Sequence, residues 1–315
     1  MTPAPPILQT TSRIPLGSSE VWVSPLGIGT WAWGDRLFWG YGGQYRDEDL
    51  QAAFATCLEA GINFFDTAEV YGLGRSEQLL GQFASGQSLV MASKFMPYPW
   101  RFAPQSLRDA LRHSLQRLGL DCLDLYQIHW PIPLLAIEVW VEALADVVEA
   151  GLARAVGVSN YSADQMRRAH AVLQARGIPL ASNQVQYSLL HRQPERDGVR
   201  QACQELGVTL IAYSPLGMGL LTGKYNPERL PAGPRRWTAA TKLAQVKPLL
   251  DAMQPIATHH GKSLAQVALN WTIAKGSLPI PGAKNARQAA ENAGALGWSL
   301  TAEEVGALDQ ASQDF

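Results

Sequence analysis

Eight short apolar runs, set apart by amphipathic stretches, constrain this chain more tightly than any other feature. The runs are Gly27–Thr30, Ile62–Asp66, Leu89–Lys94, Leu123–His129, Ala153–Val158, Ala181–Val185, Val208–Tyr213 and Ser277–Pro281. Asp47–Ala60, Arg75–Ala84, Pro104–Leu118, Glu138–Ala150, Ala163–Arg176, Pro194–Leu206 and Lys262–Lys275 fall among them with helical spacing, and Ala286–Ala295 follows the last. Several open on a capping residue and close at glycine, as Ser162 with Gly177 and Asp47 with Gly61 do. Strands that read as continuous apolar runs are buried on both faces, the situation of a parallel sheet covered by helices. The alternation, unbroken by any linker, predicts one parallel α/β domain over residues 1–315. Eight strands favour a closed (β/α)8 TIM barrel over an open doubly wound sheet. Ahead of the first run, Ile14–Gly17 and Val21–Val23 read as a small hairpin suited to plugging the bottom of the barrel.

Charge and cysteine usage narrow the class. Charged residues make up 17% of the chain, below the roughly 25% of an average soluble protein, as a sheet buried on both faces requires. A net charge of −1 marks neither a nucleic-acid nor an acidic-membrane binder. No apolar stretch approaches the roughly 20 residues of a membrane span. Cys57, Cys122 and Cys203 are widely spaced and form no C-x-x-C pair, which suits reduced thiols in a cytoplasmic protein. Met1–Arg13 lacks an apolar core and argues against a signal peptide.

Four polar residues stand at or just past the ends of consecutive runs. Asp66 closes Ile62–Asp66, with Tyr71 in the loop beyond it; Lys94 and His129 close the next two runs. Barrel enzymes carry their chemistry at the C-terminal ends of the strands. A phenol has an ordinary pKa near ~10 and holds its proton at neutral pH. An ammonium beside it is expected to lower that value, with Asp66 anchoring Lys94 and keeping it charged. His129 is suited to orient a substrate oxygen and stabilise charge developing on it. The set points to carbonyl reduction. Each residue taken alone also has a structural role: a turn cap, an ion-pair partner, a packed tyrosine, a buried histidine. Zinc chemistry needs converging ligands, and no second histidine stands at a strand end. A glycosidase pair of Asp66 and Glu69 leaves Lys94 and Tyr71 unexplained. Two long loops, Arg36–Tyr45 and Ser214–Thr241, follow strand ends and read as walls of the site.

The segments Phe65–Gly72, Ser93-Lys94, Asp124–Trp130, Gly157–Tyr161, Gln184–Ser188, Ala212–Gly217, Gly219–Lys224 and Ile280–Gly282 together resemble the aldo/keto reductase superfamily, in order and over nearly the whole chain. The resemblance implies a (β/α)8 barrel with an N-terminal hairpin and NADPH/NADP+ as cofactor. It implies that Asp66, Tyr71, Lys94 and His129 form the catalytic tetrad, with Tyr71 the proton donor. Ser159, Asn160 and Gln184 match the residues that hold the nicotinamide carboxamide, and Tyr213 matches the aromatic that stacks on the ring. Gly29, Thr30, Trp31 and Asp66 are further cofactor contacts that the resemblance implies. The pyrophosphate is expected under the loop beginning Ser214-Pro215-Leu216-Gly217 and ending at Lys224. No G-x-G-x-x-G follows the first strand, so a Rossmann mode finds no support. Gly282 and Lys284 open a segment matching the adenosine-phosphate clamp, with Lys284 for the 2′-phosphate and Gln288, Glu291 and Asn292 around adenine and ribose. Many relatives carry arginine where this chain has Gln288 and Met218; Arg287 is a candidate to compensate.

Aromatic residues crowd the expected mouth: Trp31, Trp33, Trp39, Tyr41, Phe95, Tyr98, Trp100, Phe102 and Trp130. Trp31, Trp100 and Trp130 are the expected substrate contacts, with Arg101 for an anionic or phenolic group. An aromatic wall suits a flat or apolar aldehyde. Gly29–Gly34, Tyr98–Arg101, Leu230–Arg235 and Gly294–Trp298 are similar to the plant-chloroplast and cyanobacterial branch that reduces pyridoxal. Some family members instead resemble potassium-channel β-subunits, which bind NADPH as redox-sensing partners. The partner expected here is a small carbonyl compound, with neither nucleic acid nor membrane.

Overall fold

The computed structural model describes residues 12–132, 135–226, 228–231 and 235–315. Among the described residues, ten strands form two sheets. β1 (Ile14–Pro15) and β2 (Trp22–Val23) make an antiparallel hairpin. β3 (Ile28–Gly29), β4 (Phe64–Asp66), β5 (Val90–Phe95), β6 (Leu123–Ile128), β7 (Ala153–Ser159), β8 (Leu180–Gln186), β9 (Thr209–Tyr213) and β10 (Leu278–Ile280) pair in parallel, each with its neighbour in sequence. Gly27 N donates to Pro279 O at 3.0 Å and Gly29 N to Pro281 O at 3.1 Å, which joins the first strand to the last. The expected eight-stranded (β/α)8 barrel is therefore observed. Every residue of β5 and β6 is buried, as their unbroken apolar reading requires.

Side chains facing the barrel interior are stacked in layers. The apolar layers hold Phe64, Val90, Ala92, Leu125, Ala155, Ala181, Ile211, Leu278 and Ile280. Leu16, Val21 and Val23 of the hairpin pack into the same cluster and are essentially inaccessible to solvent. The hairpin is thus the plug that its sequence suggests. Farther up the strands the interior turns polar: Asp66, Lys94 and Gln127 stand two residues beyond Phe64, Ala92 and Leu125, and they are buried together with Ser182 and Gln184. The second cluster, much larger, lies between the barrel's outer surface and its helices.

Helix boundaries follow the sequence reading closely, with three differences, and one further helix, Ala302–Ala311, lies beyond the last stretch read as helical. Arg46 rather than Asp47 caps the first helix, because Asp49 at its third position accepts from the Arg46 backbone; Asp47 is free to bind Arg75 Nη2 at 2.7 Å. Pro194–Leu206 divides into Gln193–Arg196 and Val199–Leu206, since Gly198 between them takes a left-handed φ of 77°. The helix Arg235–His260 begins inside the stretch expected to be loop and runs through Pro248 and Pro255. Those prolines break the helical reading of the sequence. The resemblance at Leu230–Arg235 and the reading of Met1–Arg13 fall mainly on residues 1–11 and 232–234, outside the described residues. All three cysteines are unpaired thiols.

Candidate active site

The four strand-end residues converge. β4 ends on Asp66, and Lys94 lies on β5 one strand away. The Lys94 ammonium makes an ion pair with Asp66 Oδ2 and donates to Thr67 O at 2.8 Å. Both side chains are buried, so the pair is formed away from water. Its Nζ lies 5.0 Å from the centroid of the Tyr71 ring. Tyr71 sits in a short 3-10 turn (Tyr71–Gly74) in which Leu73 takes a left-handed φ of 55°. Its ring meets His129 edge-on, with centroids 5.7 Å apart. His129 is set by its backbone N–H donating to Phe95 O at 2.8 Å. His129 Nδ1 is buried and has no hydrogen-bond partner among the described residues.

Protonation follows from burial. His129 is driven down to about 3, first by desolvation and then by the Lys94 charge, and so is neutral at physiological pH. Lys94 is lowered by desolvation, with Asp66 opposing. Tyr71 departs from the sequence expectation. Its phenol is raised well above the ordinary tyrosine range, by burial first and by the Asp66 charge second. The ammonium expected to lower it is already matched by Asp66, which leaves desolvation to win.

A cavity of about 810 Å³ opens above this cluster at the C-terminal ends of the strands. Tyr71 and His129 reach its wall, as do Gly29, Trp31, Asp66, Ser159, Asn160, Gln184 and Tyr213. Lys94 lies beneath the wall, wholly buried. Ser159, Asn160 and Gln184 are tied together: Ser159 Oγ donates to Gln184 O at 2.8 Å, and Asn160 Nδ2 donates to Ser159 Oγ and to His129 O, both at 3.1 Å. Asn160 holds a left-handed φ of 61°, and Tyr213 OH donates to its Oδ1 at 3.0 Å, fixing the ring at the cavity edge. Farther along, Ser214, Pro215, Leu216 and Lys224 line the wall, then Gly282, Lys284, Arg287, Gln288, Glu291 and Asn292. Positive φ values at Ser214, Gly217, Met218 and Gly219 coil the backbone of that loop. Lys284 stands over the Tyr45 ring at 4.8 Å and the Trp39 ring at 5.5 Å. Gln288 Oε1 accepts from Lys284 N at 3.0 Å.

Some expected contacts lie elsewhere. Thr30 is fully buried, and its hydroxyl is held by Asp66 O at 3.0 Å and Ser76 Oγ at 2.8 Å. Gly217 turns toward Leu190, 2.8 Å from where a Cβ would stand. Trp100 is 67% exposed and stacks on Tyr98 outside the cavity lining, whereas Trp31 and Trp130 line it. Trp33 and Phe95 are core residues. Arg101 is committed to Glu69, with Nη1–Oε1 at 2.5 Å and Nη2–Oε2 at 3.0 Å, and donates to Met96 O at 2.7 Å. That fork occupies the group expected to meet an anionic substrate, and it also accounts for Glu69. Sequence reading missed Gln44, Gln186, Tyr225 and Arg229 as lining residues, and treated Trp39 only as one mouth aromatic among many. The length of the two loops carrying four of them was the available signal.

Cavity walls of this chemistry, at the C-terminal end of a barrel, suit a nicotinamide-dependent oxidoreductase that acts on carbonyl groups. The donor set fits such a cofactor: amides and hydroxyls for a carboxamide, a flat ring for stacking, and lysine and arginine for phosphates. The chain belongs to the aldo/keto reductase family, which matches residues 25–313. It is 45% identical to the chloroplastic pyridoxal reductase of Arabidopsis thaliana, over 98% of this chain and 88% of that protein. It is 31% identical to the NADH-specific methylglyoxal reductase of Escherichia coli, over 92% of this chain and 94% of that one. Its fold superposes on the glycerol dehydrogenase of Gluconobacter oxydans with a TM-score of 0.83 at 28% identity, covering 96% of this chain and 95% of that chain.

Proposed function

We propose that this protein is an NADPH-dependent aldehyde reductase whose proton donor is Tyr71, acting on flat aromatic aldehydes, with pyridoxal converted to pyridoxine the first substrate to test. The observation that carries the reading is the buried Lys94–Asp66 pair beneath Tyr71 with His129 alongside. When bound, the reduced nicotinamide supplies a hydride to the carbonyl carbon. His129, neutral, donates a hydrogen bond to the carbonyl oxygen and fixes its direction. The Tyr71 O–H passes its proton to that oxygen as negative charge builds on it. A phenol raised by burial keeps its proton until a strong base appears, and a developing alkoxide is such a base. Lys94 faces the ring and stabilises the phenolate left behind. Ser159, Asn160 and Gln184 orient the carboxamide, and Tyr213 supports the ring. The whole chain acts as one barrel domain in this scheme.

The preference for NADPH rests on Lys284, with Arg287 on the same wall, as partners for a 2′-phosphate. Trp31 and Trp130 give the aldehyde an aromatic wall; the similarity to a pyridoxal reductase adds to that choice. Steady-state oxidation of NADPH and of NADH with pyridoxal, benzaldehyde and methylglyoxal tests the proposal. Strong use of pyridoxal with NADPH supports it. Equal weak use of every aldehyde removes the substrate assignment, and equal use of NADH removes the role of Lys284. Tight cofactor binding without turnover would replace the enzyme with a cofactor-sensing partner subunit.

A further inference from the structure

Beneath the cavity floor, Gln127 of β6 is wholly buried, and both ends of its side-chain amide are engaged. Nε2 donates to Asp66 Oδ1 at 3.2 Å. Oε1 accepts from Ser182 Oγ at 3.3 Å and from Gln184 Nε2 at 3.5 Å. Gln184 Nε2 also donates to Asp66 Oδ1, at 2.8 Å. With Lys94 on Oδ2, the carboxylate is met by three protein side chains from three strands. Gln184 is therefore oriented: its nitrogen faces the carboxylate, and its oxygen is turned away from it.

Two backbone features make room for this contact. β7 runs between β6 and β8, and Gln127 reaches Ser182 across it only because Gly157 intervenes. A Cβ on Gly157 would stand 2.2 Å from Ser182 Oγ and 3.2 Å from Gln127 Cγ. The pairing of β7 with β8 also shifts register between Val156 and Gly157, which sets Ser182 and Gln184 opposite Gly157 and Ser159. A shift of this kind re-aims side chains at the expense of ladder regularity. An apolar side chain would fill the same volume without burying an amide, so packing alone does not call for glutamine here.

We propose that Gln127 is a positioning residue: through Asp66 it fixes the Lys94 ammonium under Tyr71, and through Gln184 it fixes the carboxamide side of the cavity. The proposal rests on the carbonyl-reductase reading above and extends it to a residue that touches neither substrate nor cofactor. Gln127→Met keeps length and volume and removes both hydrogen-bonding ends. A hydrogen bond to a charged group corresponds to about tenfold or more in an equilibrium or rate. The expected result is a kcat lower by about tenfold, an aldehyde KM within about twofold of the parent, and an NADPH dissociation constant raised about threefold. The last is read by quenching of tryptophan fluorescence, which also reports whether one cofactor binds per folded chain. Ser182→Ala, which removes only the hydroxyl on Oε1, is expected to show the same pattern at about threefold in kcat. Parental kcat, KM and dissociation constant in Gln127→Met overturn the proposal; should that variant not fold, parental values in Ser182→Ala overturn it. If the parent turns over no aldehyde, the reductase reading fails, while a changed NADPH dissociation constant in Gln127→Met still upholds the positioning of Gln184.

Discussion

Removing Asp66 while keeping Lys94 separates what the buried ion pair does for folding from what it does for chemistry. The Lys94 side chain is 0% exposed and that of Asp66 2%. In Asp66→Leu, the ammonium keeps only Thr67 O as a partner, at 2.8 Å. Leaving one member of a buried pair uncompensated typically costs about 3–5 kcal/mol. At about 2 °C per kcal/mol for a chain of this size, the melting temperature should fall by roughly 6–10 °C. The deficit should depend on pH with a definite sign. Burial lowers the Lys94 pKa, and without Asp66 nothing comparable opposes it. Between that lowered value and the ordinary lysine range the unfolded chain binds a proton that the folded chain lacks, so stability rises with pH in that window. Calorimetry at pH 7 and pH 9 should show the deficit of Asp66→Leu shrinking at the higher pH, with aldehyde reduction lost at both. A variant melting within about 2 °C of the parent, with no recovery at pH 9, would mean that the pair is hydrated and that the argument from burial is wrong.

Three further outcomes are expected. His129 is lowered from 6.5 to about 3 by burial, so the protein loses stability as pH falls below about 6.5 and keeps it above. His129→Gln should recover about 2–3 kcal/mol of the loss between pH 7 and 4.5, measured by urea unfolding; an unchanged acid dependence refutes it. Leu16→Ala opens the plug of the barrel, and its fully buried side chain should cost about 2–5 kcal/mol while kcat of the folded protein stays at the parental value. Arg101→Met should leave the KM of neutral and carboxylated benzaldehydes alike unchanged, because Arg101 is bound to Glu69; selective loss of the anionic aldehyde returns it to the substrate site.

The barrel was legible because its strands are short, buried on both faces and separated by helices with their own caps. Ser162 illustrates this: the sequence marks it as the residue that opens a helix, and its hydroxyl forms a capping box there with the Gln165 side chain. The hairpin was legible for a different reason. Leu16, Val21 and Val23 are apolar residues of a two-stranded hairpin that has no core of its own, and the barrel floor is where they are buried. Helix Arg235–His260 was not legible, since two prolines and a weak apolar stripe conceal it. A helix tolerates proline where tertiary packing of Leu249, Met253 and Ile256 holds both sides of the break.

At the site, position along a strand was readable and direction of a side chain was not. Asp66, Lys94 and His129 follow from counting to strand ends, since the period of two fixes which residues face inward. Thr30, Trp100 and Arg101 sit in loops, where no period applies, and each is diverted by a local partner: Asp66 O, the Tyr98 ring and Glu69. The Tyr71 phenol shows the same limit in electrostatic form. Its lysine neighbour is visible in the sequence, but the sign of the shift depends on whether that charge is already neutralised and how much water remains. Asp66 neutralises it, burial removes the water, and the result is a tyrosine that holds its proton more firmly than tyrosine in solution. In the proposed reaction such an acid would donate only to an oxygen that is becoming an alkoxide, which would tie proton transfer to the carbonyl's reduction rather than to its binding.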